Sequence, residues 1–432
     1  MEWDIKNTGN AVGIVFNISQ SEKGYTSTLD SPDQKATGIP VTTTSFENQV
    51  LKLAISNAGI EYEGTLDKTN TIVGTFKQGG QSIPLNLSSK IAEKEKIARP
   101  QEPVKPYPYY SEDITFENKT DNIVLAGTLT LPEQGGRNFP AVILITGSGP
   151  QNRDEEVPVL RHKSFLVLSD YLTKKGIAVL RFDDRGVGES TGDFAKASTI
   201  DFSRDVQAGV DYLKTRKEIN KDKIGLIGHS EGGIIAPIVA GNSNEIDFIV
   251  LLAGPGLRGD KLILLQKEVL ERQGGASEDD IQKGQDIFKG AYDIIIASSV
   301  NDENLKKSVG SYFNSKLDEA SAKSITASIT NNWFYTALKM DPAMALAKVK
   351  CPVLALNGSK DLQVPAEVNL EIIKNTLAKS GNKKVTAKIL PNLNHLFQEC
   401  KTGSTDEYGT IEQTFSPIAL EEISNWVLLQ TK

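Results

Sequence analysis

Ser230, Asp361 and His395 are the residues of this 432-residue chain whose types and order supply a nucleophile, an orienting acid and a base. A serine hydroxyl at neutral pH is a poor nucleophile and needs a base to take its proton. The base in turn needs a carboxylate to fix its tautomer and steady the imidazolium that forms. Ser230 stands in Gly228-His229-Ser230-Glu231-Gly232, between an apolar run at 224–227 and a stretch with helical character from 233. This reads as a strand that turns sharply into a helix, with glycines two residues before and after the serine, where side chains would collide. Such a corner lifts the hydroxyl above a sheet and puts the unpaired N–H groups of a helix N-terminus behind it.

The partners follow later in the chain. Asp361 lies in Gly358-Ser359-Lys360-Asp361-Leu362-Gln363-Val364-Pro365, after an apolar strand run at 353–357. His395 lies in Pro391-Asn392-Leu393-Asn394-His395, after another at 385–390. Alone, Asp361 reads equally well as a helix N-cap and His395 as a loop histidine. The chain has three histidines in all. His229 flanks the nucleophile on a turn where adjacent side chains point apart, and His162 precedes the first helix of the domain, so His395 is the base if the site has one. An oxyanion site needs two backbone N–H groups. One is expected from Glu231, the other from the loop Thr146-Gly147-Ser148-Gly149-Pro150, assigned to Ser148 with Gly149 as competitor. The polar run Gln151-Asn152-Arg153-Asp154-Glu155-Glu156 reads either as pocket rim or as solvated loop. The loop from Asp183 to Ser190 lacks both the Gly-Lys-Ser/Thr ending and the G-x-G-x-x-G spacing of phosphate cradles. Asp184 and Arg185 are therefore expected to hold loops around the corner.

These residues need a scaffold, and residues 112–432 provide the pattern for one. Two β runs at 113–117 and 123–131 suggest an antiparallel edge pair. Strand runs at 141–146, 177–182, 224–227, 248–253, 353–357 and 385–390 then alternate with helical patterns at 163–175, 199–214, 366–379 and 417–429. Alternation of this kind predicts an α/β fold: a mostly parallel sheet with helices on both faces and ligands beyond the strands' carboxyl ends. Residues of about 257–347 break it with helices only, at 261–272, 278–298, 302–317 and through 333–347. This insertion is placed to act as a lid, with Phe313, Trp333, Phe334 and Tyr335 expected in its core.

Residues 1–90 differ in texture. Short β-branched runs at 11–18, 50–55, 61–66, 71–76 and 82–87, separated by turn residues, predict a small all-β barrel or sandwich. A spaced-proline stretch within 91–111 predicts a semi-rigid linker. A net charge of −7 argues against a nucleic-acid partner. No apolar run approaches the about 18–20 residues that span a bilayer. Two cysteines, Cys351 and Cys400, exclude a disulfide framework and leave one bridge open. Nothing calls for a metal or a cofactor. The opening residues carry no basic-then-apolar segment, which leaves the compartment between cytoplasm and export after removal of a signal.

Together, the motifs at 228–232, 358–365 and 394–395, with Asp184-Arg185-Gly186-x-Gly188-x-Ser190, resemble those of the α/β-hydrolase superfamily. The run Gly147-Ser148-Gly149-Pro150-Gln151-x-Arg153-Asp154, with His-Lys-Ser-Phe at 162–165, is similar to a narrower bacterial group. These are carboxylesterases grouped with serine aminopeptidase-like hydrolases, and they carry a β-rich N-terminal domain. The resemblance implies Ser230, Asp361 and His395 as a catalytic triad, a helical cap and hydrolysis of short acyl esters as small-molecule substrates. A peptidase on the same triad is the alternative, with Glu155-Glu156 or residues of the lid as anchor for an amine. A ligand-binding role centred on the β domain is the third reading. The oligomeric state stays open.

Overall fold

The computed structural model describes residues 2–7, 14–21, 24–31, 36–56, 59–78, 81–88, 98–157 and 160–432. The chain divides into two compact units, Met1–Lys96 and Ile97–Lys432.

The first unit is a single antiparallel sheet. Its strands are β1 (Glu2–Asn7), β2 (Val15–Ser21), β3 (Gly24–Ser31), β4 (Ala36–Pro40), β5 (Thr43–Glu47), β6 (Val50–Ile55), β7 (Ile60–Leu66), β8 (Thr71–Gln78) and β9 (Gln81–Ser88). They lie in the order β4-β3-β2-β1-β9-β8-β7-β6-β5. Its end strands are joined through residues 41–42, and Ser27 Oγ of β3 meets Thr44 Oγ1 of β5 at 2.7 Å. The sheet thus curls until its ends meet, the barrel form of the two that the sequence allows. Phe16, Leu51, Ile55, Tyr62 and Leu87 fill the inside. The Tyr62 hydroxyl lies within hydrogen-bond reach of the carbonyls of Ile72 and Leu85, at 3.1 and 3.0 Å. Strands β1, β3, β4 and β5 were not foreseen; β3 to β5 are rich in Thr, Ser and Gly and show little apolar alternation, so only pairing makes them strands. Positions 11–13, 79–80 and 90–97 of the expected runs, turns and linker lie outside the described residues.

The second unit starts within the proline-bearing stretch expected to be a linker. Arg99 Nη2 donates to Leu160 O at 2.7 Å, and Gln101 pairs with the backbone of Thr414 and Phe415. Residues 98–109 are thereby laid on this unit, because loop backbone groups there take side-chain partners from them. The antiparallel edge pair follows as β10 (Tyr110–Asn118) and β11 (Ile123–Leu131). Then come β12 (Phe139–Ile145), a two-residue ladder of β13 (Glu156–Val157) with β14 (His162–Lys163), α1 (Ser164–Lys174), β15 (Ala178–Phe182), α2 (Thr199–Thr215), β16 (Ile219–His229), α3 (Gly232–Asn242) and β17 (Phe248–Leu252). The helical insertion is α4 (Gly259–Gln273), α5 (Glu278–Ala297), α6 (Glu303–Asn314), α7 (Glu319–Ile329), α8 (Asn332–Lys339) and α9 (Pro342–Leu346). The chain closes with β18 (Val353–Gly358), α10 (Ala366–Lys379), β19 (Val385–Leu390), α11 (Thr405–Tyr408) and α12 (Pro417–Gln430).

Strand order is β10-β11-β15-β12-β16-β17-β18-β19, parallel from β15 onward. Both faces are buried, as a parallel sheet requires. Along β12, Ala141, Ile143 and Ile145 join the core under α2, α3 and α10, whereas Val142 and Leu144 join the core under α1 and α12. The insertion has a separate core of Tyr292, Ile295, Val309, Phe313, Ile329 and Leu338. Helix α7 was not foreseen: its sequence is small and polar, and it buries Ala322 and Ile329 while Asp318 caps its start. Cys351 and Cys400 are free thiols. Among the described residues no helix is long and apolar enough to cross a membrane.

Where β18 ends, Gly358 packs against the loop carrying His395. A Cβ placed there would lie 2.1 Å from Leu393 O, a backbone atom that cannot swing away. Gly358→Ala is expected to lower unfolding stability by about 1–3 kcal/mol through forced backbone displacement, measured by urea denaturation.

Candidate active site

Strands β12, β16, β18 and β19 end on one side of the sheet, and the chemically able residues follow them. At the end of β16 the chain turns within two residues, Ser230 and Glu231, into α3, with Ser230 at a left-handed φ of 52°. Its N–H donates to Leu252 O on β17, and its carbonyl accepts from Gly233 N, both at 2.9 Å. A Cβ on Gly228 would lie 2.0 Å from Gly232 O, and one on Gly232 2.2 Å from Ile145 O. The two glycines are therefore required by backbone contact, for the reason their spacing suggested.

Asp361 and His395 meet from separate loops: His395 Nδ1 lies 2.8 Å from Asp361 Oδ2. Asp361 Oδ1 accepts the N–H groups of Gln363 and Val364, each at 2.9 Å, so the carboxylate also pins its own loop. Both side chains are buried. With Nδ1 on the carboxylate, Nε2 is the ring nitrogen left for a second partner. Asn394 Oδ1 shapes the histidine loop by accepting from Leu396 N at 3.0 Å and Gln398 N at 2.9 Å.

The loop after β12 closes the site from the other side. Gly147 N–H is taken by Glu155 Oε1 at 2.9 Å, which leaves the next residue, Ser148, to face the cavity. Asp184 holds the same loop through Thr146 Oγ1 and Gln151 N, each at 2.9 Å, and burial pushes its pKa up to about 8. Arg185 ties α2 to the turn between β10 and β11 through Asp205 and Asp121. Asp184 thus holds a loop beside the corner, as read from its motif, whereas Arg185 holds α2 and the turn between β10 and β11. Glu231 N–H stands at the first turn of α3, where helix geometry offers no internal acceptor. The Glu231 carboxyl is buried under the corner, accepting from Thr199 Oγ1 at 2.7 Å and from Trp333 Nε1 at 3.0 and 3.1 Å. Burial raises its pKa, and hydrogen bonds from Thr199, Trp333 and Ser148 oppose the rise.

Two features escaped sequence reasoning. Glu155, weighed as rim or solvated loop, is 6% exposed and pairs with His229 Nδ1 at 2.8 Å. His229 Nε2 lies 2.9 Å from His395 O. A glutamate 74 residues from its partner carries no local signal of burial. Trp333, expected in the insertion's core, instead reaches Glu231 and faces the cavity, whereas Phe313 does lie in that core. His162 is buried away from the site, with Nε2 on Thr414 O at 2.8 Å.

Ser230, His395, Ser148 and Glu231 line one cavity of about 420 Å³. Its other walls are mainly apolar, among them Leu257, Leu262, Ile263 and Met340 of the insertion and its approaches, and Leu160 and Leu396 opposite. Gln151, Gln266, Gln363 and Tyr408 add neutral polar groups.

The parallel sheet, the sharp serine corner and the helical insertion after β17 define an α/β-hydrolase, and the chain is a serine hydrolase of that class. Residues 162–399 match the serine aminopeptidase family, S33, and the chain belongs to it. The esterase EstD of Thermotoga maritima is 26% identical over 322 residues, covering 74% of this chain and 70% of that protein. An esterase of Pyrococcus furiosus superposes with a TM-score of 0.46 at 18% identity, over 78% of this chain and 97% of its own. Est1E of Butyrivibrio proteoclasticus gives 0.45 at 17%, over 73% and 98%.

Trp333 is the indole link between insertion and corner. Trp333→Phe removes one donor from a buried carboxyl and should cost about 1–3 kcal/mol of stability, read as a lowered thermal midpoint. KM is expected to rise more than kcat falls, because the lost contact borders the cavity wall.

Proposed function

We propose that the chain hydrolyses carboxylic esters of neutral, largely apolar substrates through an acyl-enzyme on Ser230. His395 Nε2 takes the serine proton as the hydroxyl attacks the acyl carbonyl, and Asp361 holds the ring by Nδ1. The N–H groups of Glu231 and Ser148 receive the oxyanion, and the alcohol leaves with the proton from His395. Water, deprotonated by the same ring, then releases the acid. The helices of residues 257–347 serve as the lid, excluding bulk water from the cavity.

The observation that carries this reading over a peptidase is the charge of the cavity. No Lys or Arg is among its lining residues, and its two carboxyl groups are already engaged. Glu155 is held by His229 and Glu231 by Thr199 and Trp333. An aminopeptidase needs a free carboxylate for the substrate's ammonium group, and the lining residues offer none. The esterase function of the Thermotoga maritima relative accords with the ester reading. The filled interior of the first unit speaks against a ligand-carrying barrel as the seat of function.

The test is a p-nitrophenyl ester series from acetate to decanoate beside aminoacyl p-nitroanilides. Esters should turn over and anilides should not. Ser230→Ala is expected to lower kcat by at least about 10³-fold and Asp361→Asn by about 10³–10⁴-fold. Anilide turnover exceeding that of esters would reverse the choice between the two readings.

A further inference from the structure

Glu155 and His229 lie beside the proposed triad but take no part in the proton transfer just described. Their geometry constrains how many protons they hold. His229 Nδ1 faces Glu155 Oε1 at 2.8 Å, and Nε2 faces the backbone carbonyl of His395 at 2.9 Å. A carbonyl oxygen only accepts, and so does an ionised carboxylate. A neutral imidazole has a single N–H. With a neutral ring and an ionised glutamate, one of the two short contacts would set lone pair against lone pair. The pair must therefore hold one more proton than that. The extra proton sits either on the ring, giving imidazolium and carboxylate, or on the glutamate.

Glu155 decides between them. Its oxygens accept from Gly147 N at 2.9 Å and from Ser164 Oγ at 2.6 Å, and Oε1, which takes the Gly147 N–H, is also the atom that meets His229 Nδ1. Two donors and the ring converge on its oxygens, which suits a carboxylate that accepts at both; a carboxylic acid would have to carry its proton on Oε1, the oxygen already taken by Gly147 N–H, to meet an unprotonated Nδ1. We infer that His229 is an imidazolium, paired with the Glu155 carboxylate, and that the pair positions the base loop against the oxyanion loop. This assignment rests on the proposed roles of His395 and Ser148.

The pair joins four separate pieces of chain. Gly147 precedes Ser148, Ser164 starts α1, His229 ends β16, and the His395 carbonyl belongs to the loop after β19. The pair thereby links the loop after β12 to the loop after β19. Losing the proton would turn one nitrogen of His229 into an acceptor facing an acceptor and loosen one side of the clamp. The charged or titratable neighbours are few. Glu155 comes from the loop after β12, Asp361 from the loop after β18, and His395 places its ring 4.8 Å from that of His229. His162 of β14 adds no competing charge near neutrality, because burial lowers its pKa to about 4. Burial alone would lower the pKa of His229, but the charge and hydrogen bond of Glu155 overcome it and the net direction is upward. Glu155 moves down for the complementary reason, against its own burial.

With three histidines, the imidazole region of a ¹⁵N-histidine-labelled sample resolves every ring. At pH 8 the wild-type chain should show one ring protonated on both nitrogens, absent in His229→Gln. His162→Gln and His395→Gln identify the other two rings if that variant does not fold. Finding His229 neutral at pH 8 overturns the inference, whatever the enzyme's activity. The second measurement is the pH profile of Glu155→Gln. Without its counter-charge the ring should lose its proton as pH rises through a lowered pKa. The variant's kcat/KM should then fall by at least about tenfold, relative to wild type, between pH 6 and pH 9 and recover on acidification, with Glu155→Asp partly restoring the wild-type profile. A loss uniform across pH would mean that the pair only supports the fold. Should esters prove not to be substrates, the labelled spectrum still decides the protonation state.

Discussion

The corner at Ser230 is the constraint that the second unit is built to satisfy. A side chain with φ of 52° sits in a region that costs about 1–3 kcal/mol for a non-glycine residue. It persists because the backbone around it has nowhere to move. Gly232 lies against the carbonyl of Ile145 on β12, Gly228 against Gly232, and Ser230 N–H is held by Leu252 on β17. Strands on both sides of β16 therefore over-determine the turn. A sheet buried on both faces supplies the rigidity for this, which links the apolar runs of the sequence to a single half-buried serine at the cavity.

How legible each part was follows from the range over which its cause acts. The corner announces itself locally, since two glycines, an apolar strand and an apolar helix lie within a few residues of Ser230. Asp361 and His395 were legible for the same reason, each following a strand run that could be recognised alone. Ser148 could be singled out because its glycine neighbours mark a close backbone approach. Glu155 could not, because its burial is produced by His229, Ser164 and the Gly147 backbone arriving from elsewhere. Trp333 looked like any aromatic on an amphipathic helix until the partner of its indole N–H was seen to be Glu231. Strands β3 to β5 were hidden by composition, since hydroxyl-rich segments become strands only once neighbours pair with them.

Buried carboxyl groups around the site are handled in two ways. Asp184 and Glu231 have only neutral donors, and burial pushes both toward the uncharged form. Glu155 has a cationic partner and is pushed the other way. The low-dielectric floor of the cavity thus tolerates ionic character where a counter-charge is in contact and favours neutrality elsewhere. That pattern leaves the surroundings of the cavity crowded with hydrogen bonds.

The separate hydrophobic core of the helical insertion divides labour between two sets of residues. Tyr292, Val309 and Phe313 hold the insertion together, while Leu262 and Met340 form cavity wall without belonging to the sheet's core, and Ile263 joins wall to insertion core. Drift at the wall positions can remodel the shape offered to a substrate at little cost to the β-sheet that fixes the serine corner. The shape of the cavity and the reacting geometry are therefore carried by different residues, and the insertion is a separately packed part mounted on a frame of backbone contacts.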